Sequence, residues 1–124
     1  MSTLKVNNLQ NIGGTDLLAP LQSGSLDAWI NFNGTGTIAI RDSFNVSSIT
    51  DNSTGEYTVN FQNAFADTNY CAIAGGSQEL NSTARPDGVN VHTYTTTSVD
   101  LESFGNLGGT AEADLQIINL MISS

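Results

Sequence analysis

Positive charge is nearly missing from this chain. Of 124 residues only three are Lys or Arg, against 12 Asp or Glu, for a formal net charge of −9. Three cations cannot neutralise a run of phosphates, so the balance argues against a nucleic-acid partner. An anionic membrane surface repels such a chain for the same reason. No apolar run approaches the roughly 18 residues of a transmembrane helix, and no basic stretch followed by an apolar one marks a secretory signal. Membrane insertion and secretion are therefore not expected. Cys71 is the one cysteine, so neither an internal disulfide nor a Cys-based zinc site is available. His92 is the one histidine, which nearly closes off transition-metal sites. No metal and no cofactor are expected.

Small polar residues stand where the charges are missing. Asn, Thr and Ser make up 41 of the 124 residues, and Gly adds 12. The length suits one domain, able to bury about two-thirds of the surface its unfolded chain exposes. The strong helix formers never accumulate over an amphipathic window. Short runs rich in Val, Ile, Thr, Tyr and Phe recur instead, punctuated by Gly, Asn and Asp.

Two parts are distinguishable. Residues 1–27 carry Leu4, Val6, Leu9, Ile12, Leu17 and Leu18 among amides and glycines, too few apolar residues for a core of their own. They read as an extended N-terminal arm or adaptor, with room for a short helix around residues 15–19, that docks on its own domain, a neighbouring subunit or a larger assembly.

Residues 28–124 carry the strand rhythm. Strands are expected at Ala28–Asn33, Thr37–Arg41, Phe44–Thr50, Glu56–Phe61, Tyr70–Ala74, Val89–Thr95, Ser98–Phe104 and Ala113–Ile122. Asp51-Asn52-Ser53-Thr54-Gly55 reads as a hairpin loop, because Asn, Asp and Gly tolerate the left-handed backbone a tight turn needs. It is followed by Tyr57, Val59 and Phe61 on one face. Gly75-Gly76 is expected to break its strand. The near-continuous apolar run from Ile117 to Ile122, interrupted only by Asn119, suggests burial on both faces. Seven or eight strands at this spacing predict an all-β fold, an antiparallel β-sandwich or jelly-roll-like domain. The expected core is Trp29, Ile30, Phe32, Ile38, Ile40, Tyr57, Val59, Phe61, Ile73, Leu115, Ile117 and Leu120.

Catalytic patterns are thin. Any triad would have to use His92, which sits between Val91 and Thr93 in a strand and is read as a solvent-facing or interface histidine. Cys71 lies between Tyr70 and Ala72 and is read as a buried, inert thiol. Asp42, Asp51, Glu56, Asp67, Glu79, Asp87, Asp100, Glu102 and Asp114 are taken as solvated acids scattered over loops, with no pair shaping a sugar cleft. The stretch from Asp51 to Glu56 has the oxygen donors and glycine of a calcium loop but not its terminal glutamate spacing. Four Asn-X-Ser/Thr sequons, at Asn33, Asn45, Asn52 and Asn81, are no more than this composition supplies by chance. No enzymatic activity is expected. Charged residues that normally keep edge strands apart are also scarce, which points to edges covered by partner subunits in a closed symmetric oligomer.

One block of residues resembles a known family. Ala28-Trp29-Ile30-Asn31-Phe32-Asn33-Gly34-Thr35-Gly36-Thr37, then Ile40-Arg41, Phe44-Asn45-Val46-Ser47-Ser48-Ile49-Thr50-Asp51-Asn52 and Gly55-Glu56-Tyr57-Thr58-Val59-Asn60-Phe61, is similar to the C-terminal domain of tailed-bacteriophage tail-fibre proteins of the marine phage type. Asp67-Thr68-Asn69-Tyr70 continues the likeness, and Ser2 to Asn11 looks like the segments that precede this domain. The likeness is dense over residues 28–70, diffuse over 71–112 and general for the last strand.

The resemblance implies a virion component assembled in the host cytoplasm: a short tail fibre or fibre-tip module, homotrimeric, contributing to host-surface attachment. Its expected partners are two further copies of itself, other phage tail or virion proteins and a host cell-surface receptor. The alternative is a capsid or tail decoration or adaptor protein without a receptor role. With so short a segment ahead of the domain, a complete small protein that plugs its arm into a larger tail part is expected. The family supplies no binding residues to carry over. The loops at 77–88 and 104–110 are the receptor-contact candidates, through Glu79, Asn81, Arg85, Asp87 and Asn106. Leu4, Val6, Leu9, Ile12, Leu17 and Leu18 are the candidates for the attachment arm.

Overall fold

The computed structural model describes residues 26–78, 87–105 and 111–124. Eight strands follow in chain order: β1 (Ala28–Asn33), β2 (Ala39–Phe44), β3 (Val46–Ser53), β4 (Glu56–Phe61), β5 (Cys71–Ser77), β6 (Gly88–His92), β7 (Ser98–Phe104) and β8 (Ile117–Ser123). They form two antiparallel four-stranded sheets, ordered β2-β1-β8-β5 and β3-β4-β7-β6. The all-β sandwich expected from the strand rhythm is what the chain forms, and no helix occurs among the described residues.

The core lies between the sheets and follows strand alternation. Successive side chains on a strand point to opposite faces. β1 therefore buries Ala28, Ile30 and Phe32, β4 buries Tyr57, Val59 and Phe61, and β7 buries Val99, Leu101 and Ser103. β8 adds Ile118, Leu120 and Ile122, and Leu115 closes the layer ahead of it. Each such large apolar side chain contributes about 1.5–3 kcal/mol when taken out of water.

Several expectations fail on this parity. Trp29 cannot share the core with Ile30 and Phe32 on one strand, and it is only partly buried on the outer face. Ile117 is out of phase with Ile118 and Leu120, so β8 is buried on one face and not both. Ile73 faces out, 62% exposed, because its neighbours Ala72 and Ala74 face in. Ile40 sits on the edge strand β2 and is exposed, while Ile38 is partly buried against the core. Cys71 is exposed on edge strand β5, not buried. Gly75 and Gly76 do not break β5, which pairs with β8 through Ser77.

One residue carries the chain from sheet to sheet. β2 ends at Phe44 and β3 begins at Val46, so Asn45 alone makes the corner, with φ of 55°. Asparagine tolerates this left-handed conformation better than most residues. Its amide also fastens the corner. Nδ2 donates to Asp27 O and Asn63 O, both at 3.2 Å, and Oδ1 accepts from Asn63 N at 2.8 Å.

A thermal or urea melt checks this corner. Asn45→Gly keeps the backbone but loses the amide, and should cost about 1–2 kcal/mol for hydrogen bonds that are partly exposed. Asn45→Ala adds left-handed strain of about 1–2 kcal/mol and should be the less stable of the two.

Candidate functional site

The strand directions sort the connections to two ends. The links β1–β2, β3–β4, β5–β6 and β7–β8 leave from one end of the sandwich, because each pair of flanking strands runs toward it and then away. The β4–β5 and β6–β7 links, the Asn45 corner and both the entry at Leu26–Asp27 and the exit at Ser124 lie at the other. There Ser124 N donates to Asp27 Oδ2 at 2.6 Å, tying entry to exit.

The loop end is organised by one carboxylate. Asp114 Oδ1 accepts from Tyr57 Oη at 2.7 Å and from Gly55 N at 2.9 Å. Tyr57 is fully buried and packs edge-on against Phe32, with ring centroids 5.3 Å apart. Its hydroxyl also lies 3.2 Å from Gly34 O, and Gly34 N donates to Leu115 O. Gly55 forms the two-residue turn between β3 and β4 with φ of 74°, and a Cβ there would lie 2.5 Å from Ser103 O. Three connections thus meet at Asp114. Its reading as a solvated loop acid is corrected: a buried tyrosine hydroxyl needs a partner, and this partner stands 57 residues away in sequence. Burial, followed by the hydrogen bond to Asp114 and its negative charge, pushes the Tyr57 phenol well above its ordinary 10.0.

Of the receptor-contact candidates, Glu79, Asn81, Arg85 and Asn106 lie outside the described residues, as do the arm candidates Leu4, Val6, Leu9, Ile12, Leu17 and Leu18. Asp87 is described and turns inward. Its Oδ2 accepts from Gln78 N at 2.9 Å, and Oδ1 is buried against Gly105 with no hydrogen-bond partner among the described residues. The side chain holds the base of the β5–β6 connection together and does not project outward as expected.

The two outer faces differ in chemistry. The outer face of β3-β4-β7-β6 is a ladder of small polar groups: Asn60 Nδ2 donates to Ser48 Oγ and Thr50 Oγ1, and Thr58 Oγ1 donates to Asp100 Oδ1 at 2.7 Å. His92 ends β6 opposite Asp100, with Nδ1 2.9 Å from Thr93 Oγ1. On the same sheet Glu56 stands directly opposite Glu102, and with Glu112 their carboxylates lie within 4.8 Å of one another. Asp42 and Asp51 lie on strands and not in loops, and Glu56, Asp100 and Glu102 lie on β4 and β7, whose expected spans already contained them. Three carboxylate oxygens at this spacing are hard donors of the kind calcium takes. The Asp51–Glu56 stretch itself forms a strand end and tight turn, with Asn52 bonded to Thr58.

The outer face of β2-β1-β8-β5 is apolar along one row. Trp29 pairs with Phe44 on one side and Met121 on the other, and Met121 pairs with Ile73. Beside this row Asn31 Nδ2 donates to Asn119 Oδ1, and Arg41 reaches across to Gln116 O at 2.7 Å. Strand parity carries the signal for the row, since the apolar residues of β1 and β8 fall on both faces.

No family model, no curated protein and no solved structure matches this chain. Among the described residues no helix is long and apolar enough to cross a membrane.

Two substitutions test this geometry. Tyr57→Phe keeps the ring but removes the hydroxyl from Asp114, and should cost about 1.5–3 kcal/mol at neutral pH. Above pH 10 the unfolded tyrosine loses its proton while the folded one keeps it, so wild-type stability should fall as pH rises. That slope should be shallower in Tyr57→Phe, with Tyr70, also raised by burial, supplying part of the remainder. Glu102→Gln removes a like-charge pair and should raise stability by about 0.2–1 kcal/mol at low salt, an effect that salt erases. A loss of stability on melting would contradict repulsion as the dominant effect there.

Proposed function

We propose that this chain is a structural protein of a bacteriophage virion, a short tail fibre or fibre-tip module that works as a homotrimer and contributes to host-surface attachment. The tail-fibre resemblance over residues 28–70 suggests the class. The observation that carries the reading is the separation of the two ends. The chain enters the sandwich at one end, where residues 1–27 would join it to other virion proteins. The connections bearing Glu79, Asn81, Arg85 and Asn106 leave from the opposite end. An attachment module needs this division, with one end held by the particle and the other free to meet a surface. Several copies would add avidity to weak single contacts. The net charge of −9 leaves contact with an acidic cell surface to hydrogen bonding and shape, aided by salt or divalent screening.

An antibody against the chain, imaged on virions of the phage that encodes it, tests the reading. Label at the tail tip is expected. Label on the capsid would favour a decoration role, and virions without label would overturn the proposal. Light scattering of the purified chain should give a mass near three times the 13.0 kDa protomer, about 39 kDa.

A further inference from the structure

We propose that the outer face of β2-β1-β8-β5 is the surface by which copies of this chain meet, and that its occupant is the same face of the neighbouring copies. This rests on the homotrimer reading above and names the contact that reading requires. Phe44, Trp29, Met121 and Ile73 form a ridge that crosses all four strands, one residue from each. Phe44, Met121 and Ile73 are 55%, 47% and 62% exposed. A groove of about 410 Å³ runs beside Trp29 and Met121 toward Leu26. Contiguous apolar surface of this kind marks an interaction site.

Charge selects the occupant. A chain of net charge −9 meets its own copy only where acids are sparse. The opposite face fails that condition, since it carries Glu56, Asp100 and Glu102. The ridge face passes it. Its central strands present Trp29, Asn31, Asn119 and Met121; of the two acids at its margin, Asp42 is adjacent to Arg41, the one Lys or Arg among the described residues, and Asp27 is bonded to Ser124. Amides are donors and acceptors at once, so the Asn31–Asn119 row is complementary to itself. Geometry agrees. The ridge spans about 14 Å from β2 to β5, three strand spacings, whereas a single extended segment covers a lane about 5 Å wide. A flat face therefore fits it better than one pass of residues 1–25. Turned toward a threefold axis, the Phe44 end of one ridge meets the Ile73 end of the next, and the ring closes.

Trp29 is the only tryptophan in the chain, so its fluorescence reports this face directly. The experiment compares the full chain with the double variant Ile73→Glu, Met121→Glu by light scattering and by acrylamide quenching of Trp29, with circular dichroism to confirm folding. The expected result is a trimer with shielded Trp29 and a folded double variant whose mass falls threefold and whose Trp29 becomes quenchable. If the double variant does not fold, Ile73→Glu alone, at the most exposed position, serves in its place. A variant that stays trimeric overturns the face while leaving the trimer reading intact. A wild-type monomer with quenchable Trp29 overturns both the face and the trimer. A wild-type monomer whose Trp29 is shielded until residues 1–24 are removed assigns the face to the chain's own arm, and overturns the second copy.

Discussion

A tyrosine hydroxyl that must be buried needs an acceptor inside the protein, and in this chain the acceptor is the Asp114 carboxylate. Tyr57 is in the core because strand alternation leaves it nowhere else to point. Its ring packs on Phe32, and its hydroxyl arrives beside Gly34 O and Asp114. The same carboxylate oxygen takes the Gly55 amide, so the β3–β4 turn is held against the segment that leads into β8. Two close approaches follow. A Cβ at Gly34 would lie 2.5 Å from the Tyr57 hydroxyl, and one at Gly55 would strike Ser103 O. The backbone can come this near only where there is no side chain. The base of the loop end is held together by these contacts.

The opposite end is closed differently. Asn45 turns the corner between sheets, Asp27 is bonded to Ser124, and a group of rings fills the space below β4. Phe61 and Phe65 stack edge-on at 4.8 Å, and Tyr70 packs on both and sends its hydroxyl to Thr95 O. The core of the sandwich thus ends in a tyrosine–carboxylate contact on one side and in a cluster of three rings on the other. The outer faces differ as well. One sheet shows hydroxyls, amides and acids bonded to one another across strands. The other shows a ridge of Phe44, Trp29, Met121 and Ile73. Water satisfies the first and leaves the second with apolar surface to cover, a contrast that directs the proposed assembly to one side of the sandwich.

Much of the fold was legible along the chain. The span of β7 and the paired β3–β4 hairpin followed from alternation and from the turn chemistry of the Asp51–Gly55 stretch, of which Asp51 to Ser53 extend β3 and only Thr54-Gly55 turn. The buried trio Tyr57, Val59 and Phe61 followed from period two alone. What misled was hydrophobicity taken without parity. Trp29, Ile73 and Ile117 are apolar and were expected inside, yet each has core residues as immediate strand neighbours, and a strand cannot turn adjacent side chains to the same face. Cys71 faces out with Ile73 for the same reason. The partners of the acids were not legible, because they are set by strand pairing and loop contacts distant in sequence, as between Glu56 and Glu102 or Asp114 and Tyr57.

The sequence by itself determined that the chain is all-β, where most strands lie and which residues of β4 face the core, since those follow from alternation and turn residues that act over a few positions. It also set the scarcity of cations that limits which partners the chain can meet. Only the tertiary structure decided which strands are neighbours, that Asp114 answers Tyr57 and that Asp87 turns inward. It likewise decided that four apolar residues from four strands line up as one ridge. Register between distant strands depends on the whole sandwich closing at once, and no local pattern encodes it.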